Sequence, residues 1–302
     1  MGVFNASSII AAQKSFRALY MGSYDTAEPA WPGMAMLAPS QSAEENYQWL
    51  GSAPRIKEWI DEKVLDKLRG FDYLIKNKDW EGTIAVKRND FEDDKLGLHT
   101  PRIMELGIEA RVHPDELMSA VRIAGSTAAG LCYDGQQFYD TDHAEGESGA
   151  QSNVITGAGV AVANIRTDYF NALAKFRLFK DDRGRPRIRR LGSLAIKATI
   201  PAGLEAVFDE INNPAPGSTT PKTHIEYIVD PYLVDQTDYY YDYVGAPIRA
   251  FIVQMRKEPV PVEVTDSQAE LVFMQGSWLF GTEARYNVGF GLWQYSAKVT
   301  NT

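Results

Sequence analysis

A glycine-containing segment is the first place where residue types and spacing could carry chemistry. Residues 154–163 read V-I-T-G-A-G-V-A-V-A, and the turn Thr156–Val160 resembles the glycine-rich turn that holds a pyrophosphate at a helix N-terminus in short-chain dehydrogenases. The match is incomplete, because Ala161 and Ala163 stand where the third glycine would fall and few strand residues can precede the turn. We therefore predict a structural turn, and a nucleotide-binding, oxidoreductase-like enzyme is the alternative function.

An acidic cluster with one histidine follows the single cysteine of the chain. Asp134, Asp140, Asp142 and His143 stand close together in sequence, and oxygen ligands at that density could hold Ca²⁺ or a transition metal. The spacing lacks the closing bidentate Glu of a calcium loop, and a lone histidine is more often a hydrogen-bonded structural residue. We predict no metal ligand here, and we expect Cys132 to be a packing residue.

A basic run occupies residues 180–190. Its members are Lys180, Arg183, Arg185, Arg187, Arg189 and Arg190. Because turn residues interrupt the run and Asp181 and Asp182 adjoin it, the pattern favours a surface loop whose charges pair with acidic groups of the same or a neighbouring chain. Contact with DNA is the minor alternative.

The residues expected of a hydrolytic or metal-dependent enzyme are missing. The chain has no G-x-S-x-G elbow, and its four histidines include no H-E-x-x-H pair. We therefore predict that the protein is not an enzyme and has no catalytic residue, no cofactor-binding residue and no metal ligand.

Composition sets the class of protein. The 302 residues are 44% hydrophobic and 24% charged, with a formal net charge of −9, which indicates a folded globular chain and argues against a dedicated nucleic-acid binder. There is no apolar run of the roughly 20 residues that span a bilayer, and the N-terminal residues do not show the basic, apolar and small-residue pattern of a signal peptide. With one cysteine and no possible internal disulfide, we expect a protein made and used in a cytoplasm.

The N-terminal region predicts a short helix followed by an arm. Apolar residues recur at helical spacing between Ser7 and Tyr20, whereas residues 22–45 are rich in Pro, Gly, Ala, Ser and Met without a period. Such an arm cannot bury Trp31, Met34 and Leu37 locally. We expect these side chains to contact the rest of the chain or a neighbouring subunit.

The next region predicts a long two-stranded ribbon between residues 70 and 92. Aromatic and β-branched residues alternate with charged ones on either side of Asn77–Asp79. An isolated hairpin is marginally stable in water, so we expect this ribbon, and Trp80 in particular, to lie against another subunit.

The remainder predicts one long helix and a mixed α/β module. Pro101–Ala124 reads as a single, slightly broken helix. After Gly130 the pattern predicts helices at 164–180 and 204–212, strands at 193–199, 225–229 and 248–254, and a strand-rich end at 271–295.

A collinear series of short motifs then suggests a family. It opens with Trp49, Leu50, Gly51, Pro54, Glu58 and Trp59. It continues with Tyr73, Ile75, Asn77, Lys78, Trp80, Glu81 and Thr83, followed by Asp90–Asp94, Leu96 and Gly97. Further on come H-P-D-E-L at 113–117, C-Y-D-G-Q at 132–136 with Phe138, D-T-D-H at 140–143, Q-M-R-K at 254–257 and G-F-G-L-W-Q at 289–294. The series resembles the major head proteins of Mu-like tailed bacteriophages.

The resemblance implies an α+β fold of the phage Hong Kong 97 capsid type, with an N-terminal arm, an extended loop, a peripheral domain and an axial domain. The corresponding segments are an arm at 1–45, a peripheral domain at 46–130 and 244–302 with the extended loop at 65–94 and the long helix at about 101–124, and an axial domain at 131–243.

The resemblance also implies the function. It is that of a major capsid protein that self-assembles, as hexamers and pentamers, into the icosahedral head around the phage genome. The implied partners are a separate scaffold and maturation protease, a portal, a decoration protein and packaged double-stranded DNA bound without sequence specificity, with no membrane. The implied location is the virion, assembled in the host bacterial cytoplasm. A nanocompartment shell of the same fold is a further alternative.

The sequence names six candidates for contacts between subunits: Trp31, Met34, Leu37, Lys76, Lys78 and Trp80. Some relatives of this fold join subunits by a Lys–Asn isopeptide bond, and Asn77 stands between two lysines. We expect ordinary salt-bridging side chains here, and hence a single band when assembled particles are run on a denaturing gel.

Overall fold

The structure is a computed structural model that describes residues 6–50, 72–87, 90, 96–217, 221–266, 269, 272, 274 and 276–301. Residues 1–5 of the predicted arm, and residues 65–71, 88–89 and 91–94 of the predicted extended loop, lie outside the described residues. Gly51, Pro54, Glu58 and Trp59 of the motif series also lie outside the described residues.

The described residues form both helices and strands. The helices are α1 (Ala6–Thr26), α2 (Trp31–Met34), α3 (Thr100–Ala124), α4 (Val162–Leu178) and α5 (Glu205–Asn212). The strands are β1 (Ala35–Pro39), β2 (Glu44–Asn46), β3 (Leu74–Lys76), β4 (Lys78–Lys87), β5 (His143–Ala144), β6 (Ala150–Gln151), β7 (Val154–Thr156), β8 (Ile196–Ile200), β9 (Glu226–Val229), β10 (Tyr239–Tyr243), β11 (Phe251–Val264), β12 (Ser277–Phe290) and β13 (Ser296–Thr300). No described helix is long and apolar enough to cross a membrane.

The first sheet has four strands in the order β1-β11-β12-β4. β11 and β12 are long antiparallel partners with irregularities between Met255 and Val260, β4 pairs antiparallel with β12, and β1 pairs parallel with β11. Alternate β4 residues such as Ile84 and Val86 face inward, as the period of two in a half-buried strand requires.

Helices α1 and α3 pack together on this sheet around a small core. Phe16 of α1 contacts Phe280 of β12 with 4.8 Å between ring centroids, and the Tyr20 hydroxyl hydrogen-bonds Thr282 at 2.7 Å. The helices approach so closely at Gly107 that a Cβ atom there would lie 2.2 Å from Ser23 Oγ and 2.5 Å from the Tyr20 carbonyl oxygen. Glycine is therefore required at the crossing.

The second sheet has five strands in the order β7-β13-β10-β8-β9. Helices α4 and α5 lie on one face of it, since Tyr239 of β10 donates a hydrogen bond to Asp168 of α4 and its ring contacts Phe208 of α5. The large hydrophobic core is continuous from this sheet to the beginning of β11 and the end of β12.

The long helix predicted at 101–124 is confirmed as α3. Its buried residues recur every three or four positions, from Ile103 through Gly107, Ala110 and Met118 to Arg122. Pro114 lies inside it without ending it.

The predicted two-stranded ribbon is wrong within the described residues. β3 pairs with β2, and β4 pairs with β12. Only Asn77 separates β3 from β4, and its buried amide donates to Ser40 Oγ and the Ser42 carbonyl. The chain therefore continues through this residue instead of reversing, because alternation predicts a strand but not its partner.

The prediction that residues 22–45 lack a core element is also wrong, because β1 lies in the first sheet.

The C-terminal region divides between the sheets: β11 and β12 complete the first, whereas β13 lies inside the second between β7 and β10. The pairing of β13 does not fit the assignment of all of 244–302 to the peripheral domain.

Candidate functional site

Two of the family-like motifs meet in a buried polar centre. Glu145, which is 1% exposed, accepts hydrogen bonds from Trp293 Nε1 and Gln294 Nε2 at 2.8 Å each, and from the Tyr133 hydroxyl. Burial raises the pKa of the Glu145 carboxyl, while these donors oppose the rise. The C-Y-D-G-Q and G-F-G-L-W-Q motifs are thus joined through one carboxyl group that the sequence prediction missed.

Cys132, Asp134 and His143 lie beside this centre. The Cys132 thiol donates to Asp134 Oδ1 at 2.9 Å, and His143 Nδ1 lies 2.7 Å from Asp134 Oδ2. The His143 ring stacks on Trp293 with 4.1 Å between ring centroids. Asp140 and Asp142 of the predicted acidic cluster are not part of this group.

The Cys132, Asp134 and His143 donors are of types that could hold a metal, with one ligand atom from each residue within 4.8 Å of the others. Their contacts, however, are hydrogen bonds centred on Asp134. Burial also raises the pKa of the Cys132 thiol, which keeps the thiol available as the donor to Asp134. The geometry therefore favours a hydrogen-bonded structural triad.

A buried ion pair joins α3 to the second sheet. Arg122 Nη2 lies 2.8 Å from Asp242 Oδ2, and each side chain is 1% exposed. The guanidinium lies 5.0 Å from the Tyr240 ring centroid and 4.6 Å from that of Phe251. Burial alone would lower the pKa of Arg122, but the adjacent Asp242 carboxylate raises it above its usual value.

A second polar junction ties β1, β3 and β11 together through Asn77. Its side chain donates to Ser40 Oγ at 2.8 Å and to the Ser42 carbonyl at 2.9 Å, and its Oδ1 accepts from Gln254 Nε2 at 2.8 Å. Gln254 in turn accepts from the Tyr47 hydroxyl at 2.9 Å. The Asn77 amide is therefore fully engaged inside its own subunit.

Glu45 stabilises the turn between β1 and β2. Its Oε1 accepts hydrogen bonds from the backbone N–H groups of Gln41 and Ser42 and from the hydroxyls of Ser40 and Ser42. These bonds, led by that from the Gln41 N–H, lower the pKa of Glu45 to about 2.

The glycine turn after β7 is occupied by the chain itself. Gly159, with φ of 110°, donates its N–H to Asn301 Oδ1 at 2.9 Å, and Gly157 donates to the Thr300 carbonyl at 3.0 Å. A Cβ at Gly157 would lie 2.2 Å from Asn301 Oδ1. The amide of Asn301 thus stands where a phosphate would have to bind, which favours the structural interpretation.

The basic run pairs with an acidic group of its own chain. The Asp181 side chain, which is fully buried, accepts from Arg185 at 2.8 Å and from Arg189 at 2.7 Å. Despite its burial, hydrogen bonds led by that from the Arg185 N–H lower the pKa of Asp181. The prediction of a surface loop with paired charges is confirmed for these two arginines.

The six predicted contact residues do not form one patch. Trp31 and Met34 are buried, at 8% and 1% exposure, in the main core of their own subunit. Their helix α2 is held by Asp115 of the H-P-D-E-L motif, which accepts from the Trp31 N–H at 2.6 Å. Of the two expected locations, the rest of the chain and a neighbouring subunit, these two side chains occupy the first, because α2 packs against α3 and the main core.

Trp80 also has partners inside the subunit. Its Nε1 donates to the Tyr286 carbonyl at 2.9 Å, and its ring meets His113 edge-on with 4.5 Å between centroids. Leu37, which is 54% exposed, Lys76 and Lys78 face outward. These three, and the open side of Trp80, are available to a neighbour.

Other exposed apolar side chains went unnoticed in the sequence. On α3, Met104 and Ile108 are separated by one helical turn and are both exposed. Two loop residues, Leu191 and Val234, are 94% and 87% exposed. Exposed apolar groups of this kind often mark surfaces that another protein covers.

Comparisons with known proteins agree with the sequence resemblance. The major capsid protein of Escherichia phage Mu is 28% identical over 299 residues, which cover 98% of this chain and 75% of that protein. The Mu-like prophage FluMu major head subunit of Haemophilus influenzae is 29% identical over 266 residues, covering 88% of this chain and 64%, less than two thirds, of that protein.

A solved structure supports the fold. A chain of the bacteriophage JBD30 procapsid superimposes with a TM-score of 0.63 at 27% identity, covering 99% of this chain and 77% of that chain. The predicted Hong Kong 97-type capsid fold is thereby confirmed. The model of the Mu-like prophage major head subunit gpT family matches residues 9–167 and 230–302, which is most of the sequence. The chain therefore belongs to this family and is a major capsid protein of a phage head.

Proposed function

We propose that copies of this chain assemble as hexamers and pentamers into an icosahedral shell around packaged double-stranded DNA. The observation that carries the proposal is the form of the subunit. The main core continues from the second sheet into the adjoining part of the first, and the buried Arg122–Asp242 pair joins α3 to the second sheet, while apolar side chains on α3 and in loops remain exposed. A rigid unit with several separate apolar surfaces suits repeated contacts between identical copies.

Within this proposal the peripheral domain comprises the first sheet with α1 and α3, and the axial domain comprises the second sheet with α4 and α5. We assign β13 to the axial domain on account of its pairing with β7 and β10. Leu37, Lys76, Lys78 and Trp80 contact neighbouring subunits. Trp31 and Met34 support those contacts from inside the core.

The partners proposed are a scaffold, a maturation protease, a portal and a decoration protein, with assembly in the host cytoplasm. The net charge of −9 suits DNA that is enclosed without sequence-specific binding, because a tight DNA binder would need an excess of Lys and Arg. We further propose that the chain has no catalytic activity of its own, and the Asn301 side chain in the glycine turn supports this.

Electron microscopy of the overexpressed chain tests the proposal. We expect closed icosahedral or tubular particles, and a protein that remains monomeric at every concentration would contradict it. Neighbouring genes for a portal and tail would separate a phage head from a nanocompartment shell. A nucleotide-binding assay on the same preparation tests the enzyme alternative.

A further inference from the structure

Three aromatic rings form a cage between β4, α3 and β12. Trp80, His113 and Tyr286 lie with ring centroids 4.5 to 6.1 Å apart. Their polar atoms are engaged with one another, since Trp80 Nε1 donates to the Tyr286 carbonyl and His113 Nδ1 lies 2.7 Å from the Tyr286 hydroxyl. The rings are therefore held in place.

The cage opens into a small cavity of about 130 Å³. Its floor is apolar, formed by Leu106, Ala110 and Ala284, and its rim carries the carboxylates of Glu81 and Glu109. A wider groove with Glu105 on its wall continues along β4 and α3. The cavity thus combines π faces with acidic groups, which is the environment that ammonium and guanidinium groups prefer.

The charges of this region are not balanced within the described part of the subunit. None of Glu81, Glu105 and Glu109 forms an ion pair with another described residue, and Arg102 is the one basic side chain lining the groove. Burial lowers the pKa of His113, so at neutral pH its ring is uncharged and does not repel a cation. Lys78 Nζ of the same subunit lies 5.9 Å from the Trp80 ring centroid, and Lys78 does not line the cavity.

The complementary charge is present elsewhere on the chain. Arg190, Lys222 and Arg256 are exposed and form no ion pair with another described residue. Because a head subunit is surrounded by identical copies, an unpaired acidic surface and unpaired basic side chains on one chain can meet across an interface that closes by rotation.

We propose that the cage of Trp80, His113 and Tyr286 with Glu109 at its rim receives a lysine or arginine side chain from a second copy of this chain. The proposal rests on the proposed function, since it requires a neighbouring copy. It assigns to Trp80 a cation-binding role in assembly, in addition to its packing within the subunit.

Carboxyl labelling of assembled particles and of unassembled subunits tests this inference. Carbodiimide coupling of a small amine, followed by mass spectrometry, measures the reactivity of each carboxyl group. We expect Glu109 to be labelled at least about fivefold less in particles than in subunits, because a seated cation and the surrounding chain exclude the reagent. Equal labelling of Glu109 in both states would overturn the inference.

Variants give an independent measurement. Glu109→Gln and Trp80→Leu are expected to raise the subunit concentration needed for half-assembly by about tenfold, as the loss of a desolvated cation–π contact implies. Trp80→Phe retains an aromatic ring and is expected to raise this concentration by a smaller factor. Glu210→Gln, a matched change on α5, is expected to leave the concentration for half-assembly unchanged. Thermal unfolding of each subunit checks that it folds.

The outcomes separate this inference from the proposed function. If the wild type forms particles and Glu109→Gln assembles at the same subunit concentration, the cation-binding role of the cage is overturned and the proposed function is not. A wild-type chain that never forms particles would overturn both.

Discussion

The close crossing of α1 and α3 gives the sharpest test of the structure. Gly107→Ala would gain about 0.5–1 kcal/mol of helix propensity if the site were open. Its added Cβ would instead lie 2.5 Å from the Tyr20 carbonyl oxygen, a backbone atom that cannot rotate away. Overpacking of this kind costs about 1–3 kcal/mol. Subtracting the propensity gain from the overpacking cost leaves an expected net loss of about 0–2.5 kcal/mol in the free energy of unfolding.

Gly22→Ala is the matched control, because Gly22 lies in α1 and nothing stands within 4 Å of its added Cβ. This variant should raise the free energy of unfolding by up to about 1 kcal/mol. Urea unfolding of unassembled subunits measures both changes, and hydrogen exchange shows whether α1 amides lose protection. A Gly107→Ala subunit that gains as much stability as Gly22→Ala, with α1 still protected, would refute the described crossing.

Three further predictions concern the polar junctions. Arg122→Met leaves Asp242 as a buried unpaired charge and should lower the free energy of unfolding by about 3–5 kcal/mol. The double variant Arg122→Met, Asp242→Leu should recover part of this loss. A loss under about 1 kcal/mol for Arg122→Met in urea titrations would contradict the ion pair. Glu45 has its pKa lowered from 4.5 to about 2, so its stabilisation is complete above pH 4.5 and is lost as the pH falls towards 2. Urea midpoints of wild type and Glu45→Gln should therefore converge over that window, and a constant difference would exclude this role. Denaturing electrophoresis of particles should give a single band, since the Asn77 amide is hydrogen-bonded within its subunit, and a ladder would contradict it.

Local patterns predicted the helices better than the sheets. The long helix was predictable because Pro101 marks its first turn and apolar residues recur at helical spacing. The partners of β3 and β4 were not, since β4 pairs with residues about 200 positions away and nothing in a strand's alternation names its partner. The capsid fold was predicted from the motif series. Local helix and strand propensities alone could not have identified it.

Arg122 and Glu145, which the sequence analysis did not single out, nevertheless have signals in the sequence. Arg122 continues the buried stripe of α3 four residues after Met118, so a charged residue on an apolar face predicts a buried partner. Glu145 follows His143 by two residues in a segment that starts as a strand, which predicts that both face the same way. Neither pattern identifies Asp242 or Trp293 as the partner, because those contacts form only in the folded chain.

The order of strands in the two sheets also determines when a newly synthesised copy of this protein can complete its fold. β1 pairs with β11, more than 200 residues later, and β13 fills the space between β7 and β10 although it follows every other strand in sequence. Pairings of such long range make folding slow. Neither sheet can close while residues 251–300 are still inside the ribosome. A chain that ends before β13 therefore lacks the strand that lies between β7 and β10.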